Sequence, residues 1–223
     1  MLNRNKFYQD NIYHLFNKSI ANYRIFNNEM NINRFINIIE YYNNANNKLS
    51  FSIFIKRYKK YIFDGLLLDK IDNITKILGY CIMPDHYHLL IKIQSSENIS
   101  SLISNIENSY SRFLNIKAKR KGPLWQSRFK SVIIRSNEQL LHVLRYIHLN
   151  PTTANLVVKP EDWPYSSYQH YINNPLLFKK NSEISINSVE YLKKFTEDNI
   201  DYQKQLKRIK KMLLEEPIHN LRG

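Results

Sequence analysis

The chain has 223 residues, with 33 Lys and Arg against 19 Asp and Glu, and therefore a formal net charge of +14. This excess of positive charge favours a polyanionic partner, most simply nucleic acid. Only four glycines occur and none builds a glycine-rich phosphate loop, which disfavours P-loop nucleotidases and Rossmann enzymes. The lone cysteine, Cys81, excludes an intrachain disulfide, and the sequence has no 18-residue apolar run or signal-peptide core. We therefore expect a cytoplasmic protein with no membrane association.

Apolar periodicity and breaker residues predict an α+β chain in which strands and helices alternate. The order strand, helix, strand, strand, helix, strand, helix fits an antiparallel sheet with helices packed on it. The first half of the sequence predicts a strand over 12–16, a helix over 32–43 capped by Asn31, a helix or mixed segment over 49–63, and strands over 76–83 and 86–93. A helix over 99–117, a strand after 124 and a helix over 137–149 stopped by Asn150-Pro151 follow. The rest of the sequence predicts loops over 152–180 and a basic helical tail from Ser188 to Glu216.

The stretch Tyr80 to Ile93 carries the first chemical signal. Side chains two apart on a strand point to the same face, so His86 and His88 are expected side by side, with Tyr87 on the opposite, apolar face. Two neighbouring imidazoles can bind one divalent metal ion. For an isolated pair of this kind, two histidines hydrogen-bonded at a strand end would be the more common arrangement.

The predicted helix over 137–149 carries the second signal. Tyr146 and Asn150 are four residues apart and therefore share one helix face. A tyrosine phenol can act as an oxygen nucleophile, and an asparagine carbonyl can ligate a hard cation. Taken singly, each residue also fits a structural position, as a half-buried tyrosine and a helix-terminal asparagine.

Together these segments resemble the HUH single-tyrosine transposases, which include insertion-sequence and REP-associated tyrosine transposases. The resemblance runs from about Ile12 to Tyr168 and is closer to the REP-associated branch. One departure is Tyr87, since the residue between the two histidines is usually aliphatic. Four motifs in this order carry the resemblance: Met83-Pro84-Asp85-His86-Tyr87-His88-Leu89-Leu90-Ile91, Gly122-Pro123-Leu124-Trp125-Gln126-Ser127-Arg128-Phe129, Tyr146-Ile147-His148-Leu149-Asn150-Pro151 and Trp163-Pro164-Tyr165-Ser166-Ser167.

The resemblance implies a ferredoxin-like antiparallel sheet with flanking helices, in a catalytic domain over 1–180 followed by a basic helical tail over 181–223. It also implies that His86, His88 and Asn150 bind Mg²⁺ or Mn²⁺ and that Tyr146 is the nucleophile. The implied activity is cleavage and strand transfer of single-stranded or hairpin DNA through a 5′-phosphotyrosine. The implied protein is a monomer or a homodimer.

Some alternatives stay open at this point. The chain could be a non-catalytic, domesticated DNA- or RNA-binding protein of the same fold, or a metal-dependent hydrolase that uses water. Tyr110 lies on an apolar helix stripe and is assigned to packing, and His142 is a weak candidate for the base that deprotonates Tyr146. Trp125, a candidate for stacking on DNA bases, could instead lie in the core. The candidate DNA-binding residues are Lys117, Lys119, Arg120, Lys121, Trp125, Arg128 and Lys130.

Overall fold

A computed structural model describes residues 6–59, 61–95, 99–179, 181–186 and 188–205. Four strands and seven α-helices organise these residues, in the order that the sequence predicts for the first seven major elements. The strands are β1 (Ile12–Lys18), β2 (Thr75–Ile82), β3 (His86–Ile93) and β4 (Lys130–Ile134). The helices are α1 (Glu29–Asn43), α2 (Phe51–Tyr58), α3 (Ile99–Lys117), α4 (Asn137–Thr153), α5 (Ser167–Asn173), α6 (Pro175–Lys179) and α7 (Val189–Glu197).

The strands form one sheet in the order β2-β3-β1-β4, and every neighbouring pair is antiparallel. Because β1 and β3 lie in the middle, the connections cross over the sheet through α1 and α3, which is the ferredoxin-like arrangement. The predicted α+β fold is therefore confirmed. Register places Phe16 of β1 opposite both His88 of β3 and Lys130 of β4, so these three side chains emerge on the same face.

One face of the sheet, here called the core face, is covered by α1 and α3. The alternate β3 residues Tyr87, Leu89 and Ile91 point into it and are buried, as the strand pattern predicts. The ring of Phe35 from α1 lies 5.1 Å from that of Tyr87, and Tyr87 Oη donates a hydrogen bond to Glu107 of α3 at 2.8 Å. The tyrosine between the histidines is thus an integral core residue with a polar partner.

The opposite face, here called the catalytic face because the predicted ligands and nucleophile are expected there, is covered on its β2 side by α4. A Cβ placed on Gly79 would lie 2.6 Å from Leu144 Cδ1, so α4 lies directly on β2 where a side chain is missing. Ser167 at the start of α5 fixes this region, because its hydroxyl accepts from the Tyr80 amide at 2.9 Å and meets His148 Nε2 at 2.9 Å. This contact sets the position of the helix that carries Tyr146.

The Trp163 to Ser167 motif has a structural role at the β2 edge. Trp163 Nε1 donates to the Ile82 carbonyl at 3.0 Å, and the Ile82 amide donates to the Tyr165 carbonyl at 2.9 Å. Ser166 forms an isolated bridge with Cys81, which is buried as expected. The motif therefore covers part of an otherwise open sheet edge.

Two predicted boundaries are wrong for local reasons. The first helix begins at Glu29 rather than 32, because Asn28, and not Asn31, caps it by accepting from the Asn31 amide. Helix α4 continues through Pro151 to Thr153. A proline near a helix end removes only one backbone donor, and the hydroxyls of Thr152 and Thr153 both donate to the Leu149 carbonyl in this last turn.

The region predicted as loops over 152–180 contains α5 and α6, so that prediction is wrong in part. Helix α7 packs beside α4 and α5: the Arg145 guanidinium lies 4.5 Å from the centroid of the Phe195 ring, and Tyr168 Oη donates to Glu197 at 2.9 Å. The rest of the predicted tail, beyond 205, lies outside the described residues. Among the described helices, none has the length and apolar character needed to cross a membrane.

Candidate active site

The two histidines of β3 lie together at the start of the strand, on the catalytic face. Their ring centroids are 5.1 Å apart and the ring planes are nearly perpendicular, at 88°. His86 is partly exposed, whereas His88 is 4% exposed. The strand alternation that puts Tyr87 in the core therefore puts both imidazoles on the side reached by α4.

His86 is held by its sequence neighbour. Its Nδ1 lies 2.6 Å from Asp85 Oδ1, and Lys18 Nζ lies 3.4 Å from the other carboxylate oxygen. Burial works against ionisation of Asp85, but the hydrogen bond with His86 and the charges of His86 and Lys18 outweigh it and lower the pKa of that carboxyl. An ionised carboxylate can only accept, so Nδ1 of His86 is the donor, and in the neutral ring Nε2 is the nitrogen with a free lone pair.

His88 is held by a second, buried histidine. His14 Nε2 lies 2.9 Å from His88 Nδ1, and the two rings are stacked with centroids 5.1 Å apart. Burial lowers the pKa of His14 to about 4, and burial together with the neighbouring imidazoles holds the pKa of His88 well below its usual value, so both rings are neutral. His88 Nε2 is buried and has no hydrogen-bond partner among the described residues.

Helix α4 brings Tyr146 to this pair. The Tyr146 ring is perpendicular to that of His88, with centroids 5.5 Å apart, and lies 6.3 Å from that of His14. The residue is 43% exposed. Desolvation raises the pKa of its phenol, and the Asn150 side chain acts in the opposite direction. A nucleophile in this position needs help to lose its proton at neutral pH.

Asn150 lies one turn after Tyr146 and is buried. Its Nδ2 donates to the Tyr146 carbonyl at 3.0 Å, so Oδ1 is the atom suited to a hard cation. Within the described part of the chain, no group of three or more His, Cys, Asp or Glu side chains is arranged to hold a metal ion. The predicted metal-binding set differs from such a group because its third ligand, Asn150, is an amide. Its two imidazoles and one amide oxygen fit a divalent cation, and the buried His88 Nε2 has no other partner among the described residues.

The candidate DNA-binding residues differ in their exposure and in their hydrogen-bond partners. Lys130 is exposed on the catalytic face, in line with Phe16 and His88, and Arg128, Lys119 and Lys121 are exposed in the segments before it. Two members of the basic cluster have internal partners instead. Lys117 Nζ donates to Asn31 Oδ1 at 2.6 Å, and the Arg120 guanidinium donates to Asn115 Oδ1 and to the Pro123 carbonyl.

Trp125 packs from the loop before β4 into the core face. Its ring lies 5.6 Å from that of Tyr87, and its Nε1 donates to the Glu107 carbonyl at 3.2 Å. The Leu124 carbonyl accepts from the Ile20 amide, so this loop lies at the end of β1. These contacts favour the core alternative for Trp125, and base stacking by this residue stays a prediction.

The two alternative residues are both placed away from the histidine pair. Tyr110 is fully buried and donates to the Ile25 carbonyl at 2.8 Å, which confirms its assignment to packing. His142 is exposed on α4, where its Nδ1 accepts from Arg145 at 2.7 Å and its ring lies 6.1 Å from that of Phe195 in α7. His142 therefore faces α7 rather than the imidazoles of β1 and β3.

Comparison with known proteins finds related sequences for part of the chain. Residues 52–150 match the family described as Transposase IS200 like. The chain is 34% identical over 101 residues to a putative REP-associated tyrosine transposase of Haemophilus influenzae, and 26% identical over 100 residues to a REP-associated tyrosine transposase of Escherichia coli K12. Residues 52–150 are therefore similar to the IS200-like transposases, the family that the sequence motifs resemble. The likeness is to the REP-associated branch, as the motifs predict.

The extent of these likenesses is limited. The alignments cover 41% and 44% of this chain, and the chain spans 57% and 58% of the length of these two relatives. A solved REP-associated tyrosine transposase bound to a REP hairpin matches over 83% of this chain and 91% of its own, with a TM-score of 0.52 and 16% identity. This likeness shows that the two proteins share a fold.

Sequence reasoning missed three residues of this site: His14 and Asp85, each bound to a predicted ligand, and Phe16, whose ring lies 5.8 Å from that of His88. A histidine in the apolar run of β1 was a signal for the first. The charged residue immediately before the histidine pair was a signal for the second.

Proposed function

We propose that the chain cleaves and rejoins single-stranded, hairpin-containing DNA through a covalent 5′-phosphotyrosine at Tyr146, with a divalent metal ion bound by His86, His88 and Asn150. The observation that carries the proposal is the position of Tyr146 against His88, whose Nε2 is buried without a partner among the described residues. The similarity of residues 52–150 to IS200-like transposases supports the DNA-processing class of activity.

The residues have separate tasks. Tyr146 Oη attacks the phosphorus, so that a new P–O bond to tyrosine forms as the bond to the 3′ oxygen breaks and leaves a free 3′-hydroxyl. Because the phosphodiester energy is kept in the tyrosine linkage, an incoming 3′-hydroxyl can reverse the step and join strands. A bound Mg²⁺ or Mn²⁺ would supply Lewis-acid polarisation and orientation of the phosphate. Asn150, hydrogen-bonded to the backbone of Tyr146, couples the third ligand to the nucleophile's own helix turn.

The decisive experiment removes one oxygen. Tyr146→Phe keeps the ring that packs on His88, so the free energy of unfolding should change by less than about 0.5 kcal/mol, while the covalent adduct should disappear. The matched control is Tyr191→Phe, because Tyr191 is a 59% exposed tyrosine on α7. Each protein is incubated with labelled hairpin-containing single-stranded DNA and Mn²⁺ and resolved on a denaturing gel. An adduct in the wild type and the control alone is the expected result.

Three outcomes would overturn the proposal. An adduct with Tyr146→Phe would place the nucleophile elsewhere. DNA binding by the wild type without an adduct on any hairpin of the panel would favour the non-catalytic binding protein, and cleavage without an adduct would favour a hydrolase that uses water.

A further inference from the structure

His14 has no role in the family resemblance, yet its side chain lies within the candidate site. It stands on β1 opposite Leu90, two residues along the strand from Phe16, which pairs with His88. Diagonal neighbours across antiparallel strands are within reach of long side chains. The register therefore brings His14 Nε2 to 2.9 Å from His88 Nδ1, and both residues are buried.

The same hydrogen bond is made twice, once for each histidine of the pair. His86 Nδ1 faces Asp85 and His88 Nδ1 faces His14, so each ring has its Nδ1 engaged and its Nε2 left for another partner. The partner of His86 is a carboxylate at 2.6 Å, and the partner of His88 is a buried, neutral imidazole at 2.9 Å.

The direction of the buried hydrogen bond fixes a tautomer. Between two neutral imidazoles one nitrogen must donate and the other must accept. If His14 Nε2 accepts, the proton of His88 lies on Nδ1 and its Nε2 carries the lone pair. That nitrogen is the buried atom without a partner among the described residues. If His14 donated instead, His88 Nε2 would carry a proton with no acceptor in the described site, which would cost on the order of 1–3 kcal/mol.

We propose that His14 is a positioning residue: it accepts a hydrogen bond from His88 Nδ1 and thereby holds the His88 ring and tautomer with Nε2 ready for a metal ion. The inference rests on the proposed function only in taking His88 as a ligand. Partners of this kind fix the ring orientation of a metal-binding histidine, and their removal typically lowers metal affinity by about 10- to 100-fold. Asp85 acts in the same way on His86.

The first test measures Mn²⁺ affinity of the full chain by isothermal titration calorimetry, without DNA. His14→Leu removes the acceptor and should weaken binding about 10- to 100-fold. His14→Gln places an amide oxygen near the position of Nε2 and should recover most of the affinity. His142→Gln is the control, because it changes an exposed histidine outside the pair and should bind like the wild type. Thermal melts of each variant accompany the titrations.

The second test needs no substitution in the site. Nitrogen-15 chemical shifts of the His88 ring in the wild-type chain report which nitrogen is protonated, and the Nδ1–H tautomer is expected before metal is added. Observation of the Nε2–H tautomer would overturn the role of His14, even if His14→Leu fails to fold.

The outcomes separate the two proposals. A wild type that binds no Mn²⁺ would refute the metal site itself. A wild type that binds Mn²⁺ and a folded His14→Leu variant of equal affinity would refute the role of His14 alone. A His14→Gln variant as weak as His14→Leu would show that the acceptor is not what matters, and would also overturn the inference.

Discussion

Buried polar groups are treated differently on the two faces of the sheet. On the core face, Asn17 Nδ2 and Tyr87 Oη both donate to the same carboxylate oxygen of Glu107, at 2.7 and 2.8 Å. On the catalytic face, His88 has one nitrogen bound to His14 and one buried nitrogen with no partner among the described residues. In folded proteins nearly all buried polar atoms are hydrogen-bonded, and exceptions need an explanation.

This difference separates the face of the sheet that sets stability from the face that carries the proposed site. The core face closes with its own side chains, and the closure fixes β3 in place through Tyr87. Because β3 alternates, the same closure fixes His86 and His88 on the other face. On the catalytic face, His88 Nε2 stays buried without a partner among the described residues, beside a 43% exposed tyrosine. Changes on the core face should therefore alter stability, and changes on the catalytic face should alter ligand binding.

The largest expected effect is a pH dependence that arises on the core face. Burial raises the pKa of Glu107 to about 7, against hydrogen bonds from Asn17 and Tyr87 that lower it. A carboxyl that is harder to ionise when folded favours the folded state at low pH, and this contribution is lost as pH rises from about 4.5 through about 7. At about 1.4 kcal/mol per pKa unit, the full loss is about 3 kcal/mol.

Glu107→Gln should remove this loss while leaving Mn²⁺ binding unchanged, since Glu107 contacts only the core face. Urea unfolding of both proteins between pH 5 and pH 8 measures it, and the comparison cancels the contributions of the buried histidines. The variant should gain stability relative to the wild type as pH rises. Parallel plots of stability against pH for the wild type and the variant would show that Glu107 is ionised normally. A loss of Mn²⁺ affinity in the variant would show that the two faces are not separable.

A smaller effect should follow from disturbing the contact between α4 and β2. Gly79→Ala puts a methyl group 2.6 Å from Leu144 Cδ1, and the overpacking should cost about 1–3 kcal/mol. Leu144 is on the helix that carries Tyr146, so the yield of covalent adduct should fall as well. Leu144→Val removes the δ methyls, and the double variant should recover much of both losses. Strictly additive effects of the two substitutions would show that this contact does not set the helix position.

Much of this architecture could be predicted from local patterns. The bounds of α3 and β3 agree with the predicted ranges, because helical periodicity and strand alternation are both strong there. Alternation alone also puts His86 and His88 on one face and Tyr87 on the other. The spacing of Tyr146 and Asn150 likewise gives their common helix face, although the resemblance, and not the spacing, supplied their roles.

The pairing of His14 with His88 could not be predicted in this way. It depends on the register between β1 and β3, which are separated by more than 60 residues, and a slip of one residue would put His14 on the core face. The extension of α4 through Pro151 was missed because the threonine hydroxyls that support its last turn outweigh the proline rule. The first error concerns a contact between distant strands that no short pattern encodes, whereas the second concerns a local contact that a rule about proline alone leaves out.

The smallest expected effect concerns charge on the two faces. Lys130 is exposed on the catalytic face in line with Phe16 and His88, whereas Lys48 is exposed on the loop after α1, on the side of the core-face helices. If single-stranded DNA crosses the catalytic face, Lys130→Gln should reduce the slope of log affinity against log salt by about 0.7, the value for one lost phosphate contact. Lys48→Gln should leave the slope unchanged. Fluorescence anisotropy measures the affinity at several KCl concentrations from about 50 to about 300 mM, and this roughly sixfold range is wide enough to resolve such a difference in slope. Equal slopes for all three proteins would exclude Lys130 from the DNA path, and a reduced slope for Lys48→Gln would place DNA on the core-face side instead.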